Sequence, residues 1–398
     1  MGGLVVVETH PVQYHAPVYR AVQNTFGIPV TVVYGSDFSI AGYRDEEFGV
    51  RFSWDTDLLS GYRSIFLKRA AQGGPRSAAE VTSRGLSEAL SAEDPEALLV
   101  TGYGFSLDRA ALGWARSARR PVLFRAETTD HTRRRGFLTA ALRDCALRWI
   151  YSGCRKLLYV GSRSKRHYLR LGCPEEKLVF SPYCIDPAPF RSAERERAVL
   201  RERTRAELGL DPEKKALLFS GKMSPRKDPE IVVKAVRLLP ETLREKTVLL
   251  FMGAGELLER VKASAGVSPR VEAKFLGFRN QTELSPIYHA ADLLILPSIQ
   301  FESWGLVVNE ALLHGLSGIV SEEVGCAPDL ILPGRTGELF PAGSAAGLAE
   351  AICRGLQWVG TPESRQACRE KVEQYNLQKA AQGIAEAYRA AESPGHGR

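Results

Sequence analysis

"DLLILPSIQFESWGLVVNEALLHG", residues 292–315, changes its pattern twice in 24 positions. The apolar run ending at about Ser298 reads as a buried strand, a loop carries Phe301 to Ser303, and helical spacing follows. On that helix Leu306, Val307, Ala311, Leu312 and Leu313 face inward, and Gly315 ends it. Two carboxylates, Glu302 ahead of the helix and Glu310 in its second turn, interrupt a stretch that otherwise reads as buried. An ionised carboxylate taken out of water is costly unless something pairs with it. Both can point into a cleft at the strand ends, where the backbone N–H groups of Trp304, Gly305 and Leu306 also point. Carboxylates accept hydrogen bonds and a sugar diol presents paired donors. The alternative is structural: Glu302 caps the helix and Glu310 is solvated.

The same strand-then-helix alternation runs in both directions from this stretch. Upstream, "LVVVE" (4–8), "VTVVY" (30–34), "ALLV" (97–100), "PVLFR" (121–125), "KLLYV" (156–160) and "LVFSP" (178–182) are short β-branched runs, with helix-length segments at 14–25, 76–92 and 106–118. Residues 187–213 break the rhythm with charges of both signs and read as a linker with a solvated helix. The pattern then restarts with "KALLFS" (215–220), "TVLLFMG" (247–253), "AKFLGF" (273–278), "SGIVSE" (317–322) and "GELF" (337–340). "ESRQACREKVEQYNLQKAAQGIAEAYRAA" (363–391) reads as one long helix, and the last residues as frayed. The expected architecture is α/β, with two Rossmann-like parallel-sheet domains, 1–190 and 214–362, joined by a linker at 191–213 and followed by a C-terminal helix over 363–398. Ligands of such sheets sit beyond the carboxyl ends of the strands, here in an interdomain cleft.

Composition narrows the function classes. With 398 residues, 44% hydrophobic and 25% charged, the chain has an ordinary globular composition, and its net charge of +7 favours anionic partners. The positive residues read as spread out and no stacking aromatic platform is visible, which argues against nucleic acid. Seven scattered cysteines without a CxxC pair indicate neither a disulfide framework nor a zinc site, so a reducing cytoplasm is expected. "MGGLVVVETH" lacks the marks of a signal peptide or a myristoylation site. No run of about eighteen apolar residues predicts a transmembrane helix.

"LLFSGKMSPRKDPEIVVKAV" (217–236) is a strand, a tight loop opened by Gly221, and a helix, with Lys222, Arg226 and Lys227 in the loop. These cations beside a helix N-terminus form a candidate diphosphate clamp, although basic loop residues are also often simply solvated. Met223 stands where a Walker A loop needs Ser or Thr. On the other half, "RAETTDHTRRRG" (125–136) follows a strand, and Glu127, Asp130 and His131 are candidates to orient or deprotonate an incoming hydroxyl. His10 and His15 in "THPVQYHAPVYR" (9–20) have both active-site and structural readings. "FLTAALRDCALRWIY" (137–151), with Phe137, Ala141, Cys145 and Trp149 every four residues, is an amphipathic helix expected to pack on its own domain or to rest on anionic lipid. "WDTDL" (54–58) contains an Asp-x-Asp but reads as a polar turn.

Taken together, these segments resemble the retaining, GT-B-fold, sugar-nucleotide-dependent glycosyltransferases of family 4. "LPSIQFESWGLVVNEALLHG" is similar to that family's signature of Glu, seven residues and Glu after a "PS" strand end. "GKMSPRK" resembles its Gly-Arg-Leu…Lys loop, with Lys222 in the arginine's place. "FLGF", "LSPIYHAADLLILPS", "GCAPDLILPGRTGELF" and "GCPEEKLVFSPYCID" resemble further segments, so the likeness covers residues 155 to 345 best. It implies a GT-B fold with Glu310 on the donor ribose and Glu302 on the donor sugar. By the same resemblance Lys222 and Lys227 lie on the diphosphate with Gly221, the N–H groups around Trp304, Gly305 and Leu306 complete that clamp, and Phe278 lies near the base. It further implies a UDP- or GDP-sugar co-substrate, no metal and no other cofactor, and a hydroxyl acceptor that is a saccharide or lipid-linked. A GT-B-fold epimerase and a non-catalytic sugar-nucleotide-binding subunit are the rival readings.

Overall fold

The computed structural model describes residues 2–44, 51–52, 55–130, 136–267 and 271–392. The first half builds a parallel sheet from β1 (Leu4–Glu8), β2 (Val30–Tyr34), β5 (Arg63–Phe66), β6 (Ala97–Val100), β7 (Val122–Arg125), β8 (Lys156–Tyr159) and β9 (Leu178–Phe180). Their order is β5-β2-β1-β6-β7-β8-β9, and β3 (Tyr43–Arg44) with β4 (Arg51–Phe52) forms a separate antiparallel ribbon. β1 and β6 are buried residue for residue because helices cover both faces of the sheet. On one face lie α1 (Ala16–Phe26) and α15 (Leu377–Glu392), and on the other α2 (Leu86–Glu93), α3 (Ser106–Ser117), α4 (Phe137–Ser152) and α5 (Ser162–Arg170).

The second sheet comprises β10 (Lys215–Ser220), β11 (Thr247–Met252), β12 (Ala273–Gly277), β13 (Leu293–Leu296), β14 (Gly318–Ser321) and β15 (Gly337–Phe340), ordered β12-β11-β10-β13-β14-β15. α7 (Glu230–Arg237), α9 (Leu258–Gly266) and α13 (Ala345–Gly355) pack on one face. α10 (Leu284–Ala290), α11 (Leu306–Leu313) and α12 (Ala327–Leu330) pack on the other, joined there by α14 (Pro362–Glu373). α6 (Glu194–Glu207) runs along α10, and short α8 (Glu241–Glu245) precedes β11. Strand order reverses beside β1 in the first sheet and beside β10 in the second, and crevices for ligands open at such switch points.

Four local expectations are corrected. The helix expected at 76–92 is a single 3-10 turn at Ala78–Glu80 and α2, whose upstream extension stops at Gly85 with φ 83°. The 363–391 segment breaks at Gln374–Asn376, because Asn376 accepts from the Lys379 N–H at 2.8 Å and caps α15 as a separate helix. α6 is docked rather than solvated: buried Arg205 donates to the carbonyls of Ala290, Asp211 and Lys214. On α4, Leu147 and Tyr151 face the core while Leu138, Ala141, Leu142, Cys145 and Trp149 face outward, so Ala141, Cys145 and Trp149 of the stripe do not pack on the domain.

Candidate donor and acceptor site

The site begins where β10 and β13 end. Gly221 and Lys222 leave β10, and the loop closes in a 3-10 turn, Pro225–Lys227, that buries Lys227. The loop after β13 lies against it: Ile299 N–H donates to the Arg226 carbonyl at 2.9 Å, and the Arg226 guanidinium donates to the Phe301 carbonyl at 3.4 Å. Between them Lys227 Nζ pairs with Glu302, their side chains 10% and 11% exposed, and Ser298 Oγ donates to the same carboxylate at 2.9 Å. Phe301 has φ 55°, a strained conformation for a bulky residue, and half-exposes its ring beside the pair.

Gly305 then turns the chain into α11. It sits at φ 96°, and a Cβ there would lie 2.9 Å from Val324 and 3.0 Å from Leu296, so only glycine fits. Val308 N–H closes the first turn on the Gly305 carbonyl at 2.9 Å, and the N–H groups of Leu306 and Val307 ahead of it make this a positive helix end. Trp304 is buried, and its indole donates to Asn309 Oδ1 at 2.8 Å. One turn deeper, buried Glu310 accepts from Tyr288 OH at 2.6 Å and from Tyr14 OH, across the cleft, at 3.2 Å. Burial pushes its carboxyl up to about 7 against the pull of the two phenols. Phe278 follows β12 at the same edge of the sheet and is half-buried.

Opposite lies a cavity of about 410 Å³ at the β1/β6 end of the first sheet, walled by Glu8, His15, Asp108, Glu127, Arg143 and Tyr183 among others. Glu8 ends β1 fully buried; burial raises its carboxyl, but His15 Nδ1 at 2.8 Å and the Tyr19 hydroxyl outweigh that and hold it below its usual range. The His15 ring lies parallel to Tyr183, centroids 6.0 Å apart. Tyr183 donates to Glu127, whose other oxygen accepts from Ser303, the neighbour of Glu302. The cleft is thereby bridged next to the Lys227–Glu302 pair. Two polar atoms near this cavity, Thr129 Oγ1 and Arg143 Nε, are buried with no partner among the described residues, which is where a polar ligand group gains most.

The sequence candidates therefore part company. Glu302, Lys222, Lys227, Gly221, Gly305, Leu306 and Glu310 gather at one crevice, with Trp304 beneath it as packing. Of the acceptor-side candidates Glu127 faces the cavity. Asp130 does not line it: although burial raises its carboxyl, His167 Nδ1 at 2.8 Å and the Arg170 guanidinium at 2.7 Å dominate and hold it well below its usual range. His131 lies outside the described residues. His10 packs against Phe38 with the rings tilted and their centroids 4.4 Å apart, and burial lowers it to about 4, whereas His15 lines the cavity. Of the Asp-x-Asp pair, Asp57 caps Leu59 and Ser60, but Asp55 reaches the second half, accepting from Thr282 N–H at 3.2 Å. Glu8, Tyr183 and Tyr288 escaped the sequence reading, and Tyr14 entered it only within the 9–20 segment, as part of a helix opening, without its bond to Glu310. The single visible signal was an acidic residue closing an apolar strand, at Glu8.

Two parallel-sheet Rossmann-like domains facing each other across such a cleft define the GT-B fold of glycosyltransferases. The chain superimposes on a glycosyltransferase from Rickettsia africae with TM-score 0.72 at 14% identity, covering 99% of this chain and 100% of that one. It superimposes on sucrose-phosphate synthase from Thermosynechococcus elongatus with TM-score 0.71 at 18% identity, covering 98% of each. HepE from Anabaena, solved with UDP and glucose, aligns with TM-score 0.67 at 16% identity over 97% of this chain and 99% of that one. The family model "Glycosyl transferases group 1" matches residues 201–375, the second sheet and its flanks. A D-inositol 3-phosphate glycosyltransferase of Streptomyces bingchenggensis is 33% identical over 205 residues, 47% of this chain and 43% of the relative. One of Mycobacterium ulcerans is 32% identical over 193 residues, 45% and 40% respectively. In both, the matched stretch spans less than half of the relative's length.

Proposed function

We propose that this protein is a glycosyltransferase of the family 4 type, moving a sugar from a UDP- or GDP-sugar to a hydroxyl acceptor with retention of anomeric configuration. The observation that carries the reading is the pairing at the crevice: buried Glu310 and half-buried Glu302 flank a positive helix end and a buried lysine, opposite a cavity lined with carboxylates and hydroxyls. In this reading Glu310 takes the ribose hydroxyls, Glu302 the hydroxyls of the donor sugar, and Phe278 lies by the base.

Lys222, Lys227 and the first-turn N–H groups of α11 receive the diphosphate. As the bond from the anomeric carbon to the phosphate oxygen breaks, charge grows on that oxygen, and fixed positive groups stabilise it there. The acceptor oxygen forms its bond from the same face, and its proton passes to the departing diphosphate oxygen. The lysines supply the charge, so the reaction needs no metal in this scheme. Glu127, between Tyr183 and Ser303, orients the acceptor hydroxyl. The acceptor is a saccharide or a lipid-linked hydroxyl compound, consistent with polysaccharide or glycoconjugate synthesis, and the seven unpaired cysteines suit a cytoplasmic site.

Calorimetry with UDP and GDP, then with their sugars, tests the donor half. One nucleotide should bind, and Glu310→Ala should weaken it. Failure of both nucleotides, or an unchanged affinity in the variant, would overturn the assignment. Release of an altered nucleotide sugar without acceptor would favour an epimerase.

A further inference from the structure

We propose that the outer face of α4 seats this protein on an anionic lipid surface. Leu138, Leu142 and Trp149 are 76%, 74% and 62% exposed, and Ala141, Cys145 and Ala146 between them are exposed as well. At 100° per residue these six positions form a continuous apolar stripe covering about 140° of the helix. Monomeric proteins seldom leave such a stripe in water without a use for it. Among the described residues no helix is long and apolar enough to cross a membrane, so the stripe is a surface contact rather than a span.

Charge identifies the occupant. Residues 103–170 hold sixteen Lys and Arg against four Asp and Glu, an excess of twelve positive charges in a chain whose net charge is +7. The rest of the chain is thus net negative, and the sequence expectation of evenly spread positive residues is corrected. The Arg116 guanidinium lies over the Trp149 ring, 5.1 Å from its centroid, and Arg148 is exposed on the flank of the stripe. Arg109, Arg119 and Arg166 are exposed on α3, beyond its end, and on α5, the helices of the same sheet face. Leucine and tryptophan bordered by arginine match the boundary between acyl chains and anionic headgroups. A second copy would bring the same positive field against this one, and a nucleic acid would leave Leu138 and Leu142 wet.

α4 also contributes Arg143 to the wall of the cavity. A bilayer under the stripe therefore lies beside that cavity and favours an acceptor carried on a lipid, a consequence that rests on the glycosyltransferase reading.

The test is co-sedimentation of the full chain with vesicles of phosphatidylcholine alone and of phosphatidylcholine with phosphatidylglycerol. The protein should bind the mixed vesicles at least about tenfold more tightly, and added salt should weaken binding. Leu142→Glu with Trp149→Glu should remove most of that binding, Leu142→Ala with Trp149→Ala serving if the charged pair disturbs folding, and Arg148→Glu should weaken it. Equal binding to both vesicles, binding untouched by the stripe variants, or a dimer in sedimentation velocity that Trp149→Glu dissociates would overturn the proposal. So would stronger retention by an oligonucleotide than by the anionic vesicles. UDP calorimetry on the same samples keeps the two readings apart: loss of UDP binding with vesicle binding intact counts against the donor site alone.

Discussion

Glu310 carries its proton near neutrality, and that has consequences for stability and for binding. Burial raises its carboxyl from the ordinary 4.5 to about 7. Between those values the native chain holds a proton that the unfolded chain releases, so stability falls as pH rises through this window and is level above it. The fall is on the order of 3 kcal/mol. Urea unfolding at pH 5 and pH 8 should show it in the parent and not in Glu310→Gln; parallel pH dependences would contradict the assignment. Ribose hydroxyls donate best to the ionised form, so UDP affinity should drop by up to about tenfold from pH 8 to pH 6, measurable by calorimetry. The Lys227–Glu302 pair permits a sharper test. Removing one partner of a buried pair strands the other charge, at a cost of about 3 to 5 kcal/mol, whereas removing both is far milder. Lys227→Met should thus be rescued in stability by adding Glu302→Gln, while UDP-sugar turnover stays low in both. Equal denaturation midpoints for single and double variants would show that the pair is solvated. These carboxylates were legible in sequence because a charged residue in an apolar run is conspicuous. Their phenolic partners were not, since Tyr14 and Glu310 are 296 positions apart.

At the scale of elements, periodicity located strands well wherever both faces are covered. The missed strand β5 is the edge of its sheet, and its exposed and half-buried residues lack the apolar run that marked the others. α6 was misjudged for the converse reason: its arginines look like solvated charge until a partner with free carbonyls is placed beside them. Arg205 fills that role at the C-terminal end of α10, and Arg201 pairs with Asp292 at 2.8 Å. Arg205→Met should take the guanidinium donor from the Lys214 carbonyl and one of two donors from the Asp211 carbonyl, which keeps the Lys214 N–H at 3.1 Å, and destabilise the protein by about 1 to 3 kcal/mol in urea titration. A change below about 0.5 kcal/mol would return α6 to the status of a solvated linker.

Across the whole molecule the two halves are pinned behind the crevice, where Asp329 and Trp304 meet the start of α5. Asp329, from the second half, accepts from Ser162 N–H and Ser162 Oγ, each at 2.9 Å, at the N-terminus of α5, and from Tyr375 OH at 2.9 Å. Beside it Gly161 touches Trp304 so closely that a Cβ would lie 2.3 Å from the indole. Asp329→Ala removes charge-assisted bonds to both halves and should split calorimetric unfolding into two transitions, one per domain; a single transition barely shifted would refute the coupling. Burial period and local loop chemistry, written within 20 or so neighbouring positions, sufficed to read the two α/β units and to single out Glu302, Glu310, Lys222 and Lys227 as candidates. Which of Glu127 and Asp130 faces the cavity, which phenols hold Glu310 and which way α4 turns its apolar stripe emerged only from the folded chain. Those choices depend on surfaces brought together from distant parts of the chain, and a local pattern carries no record of what will lie opposite it.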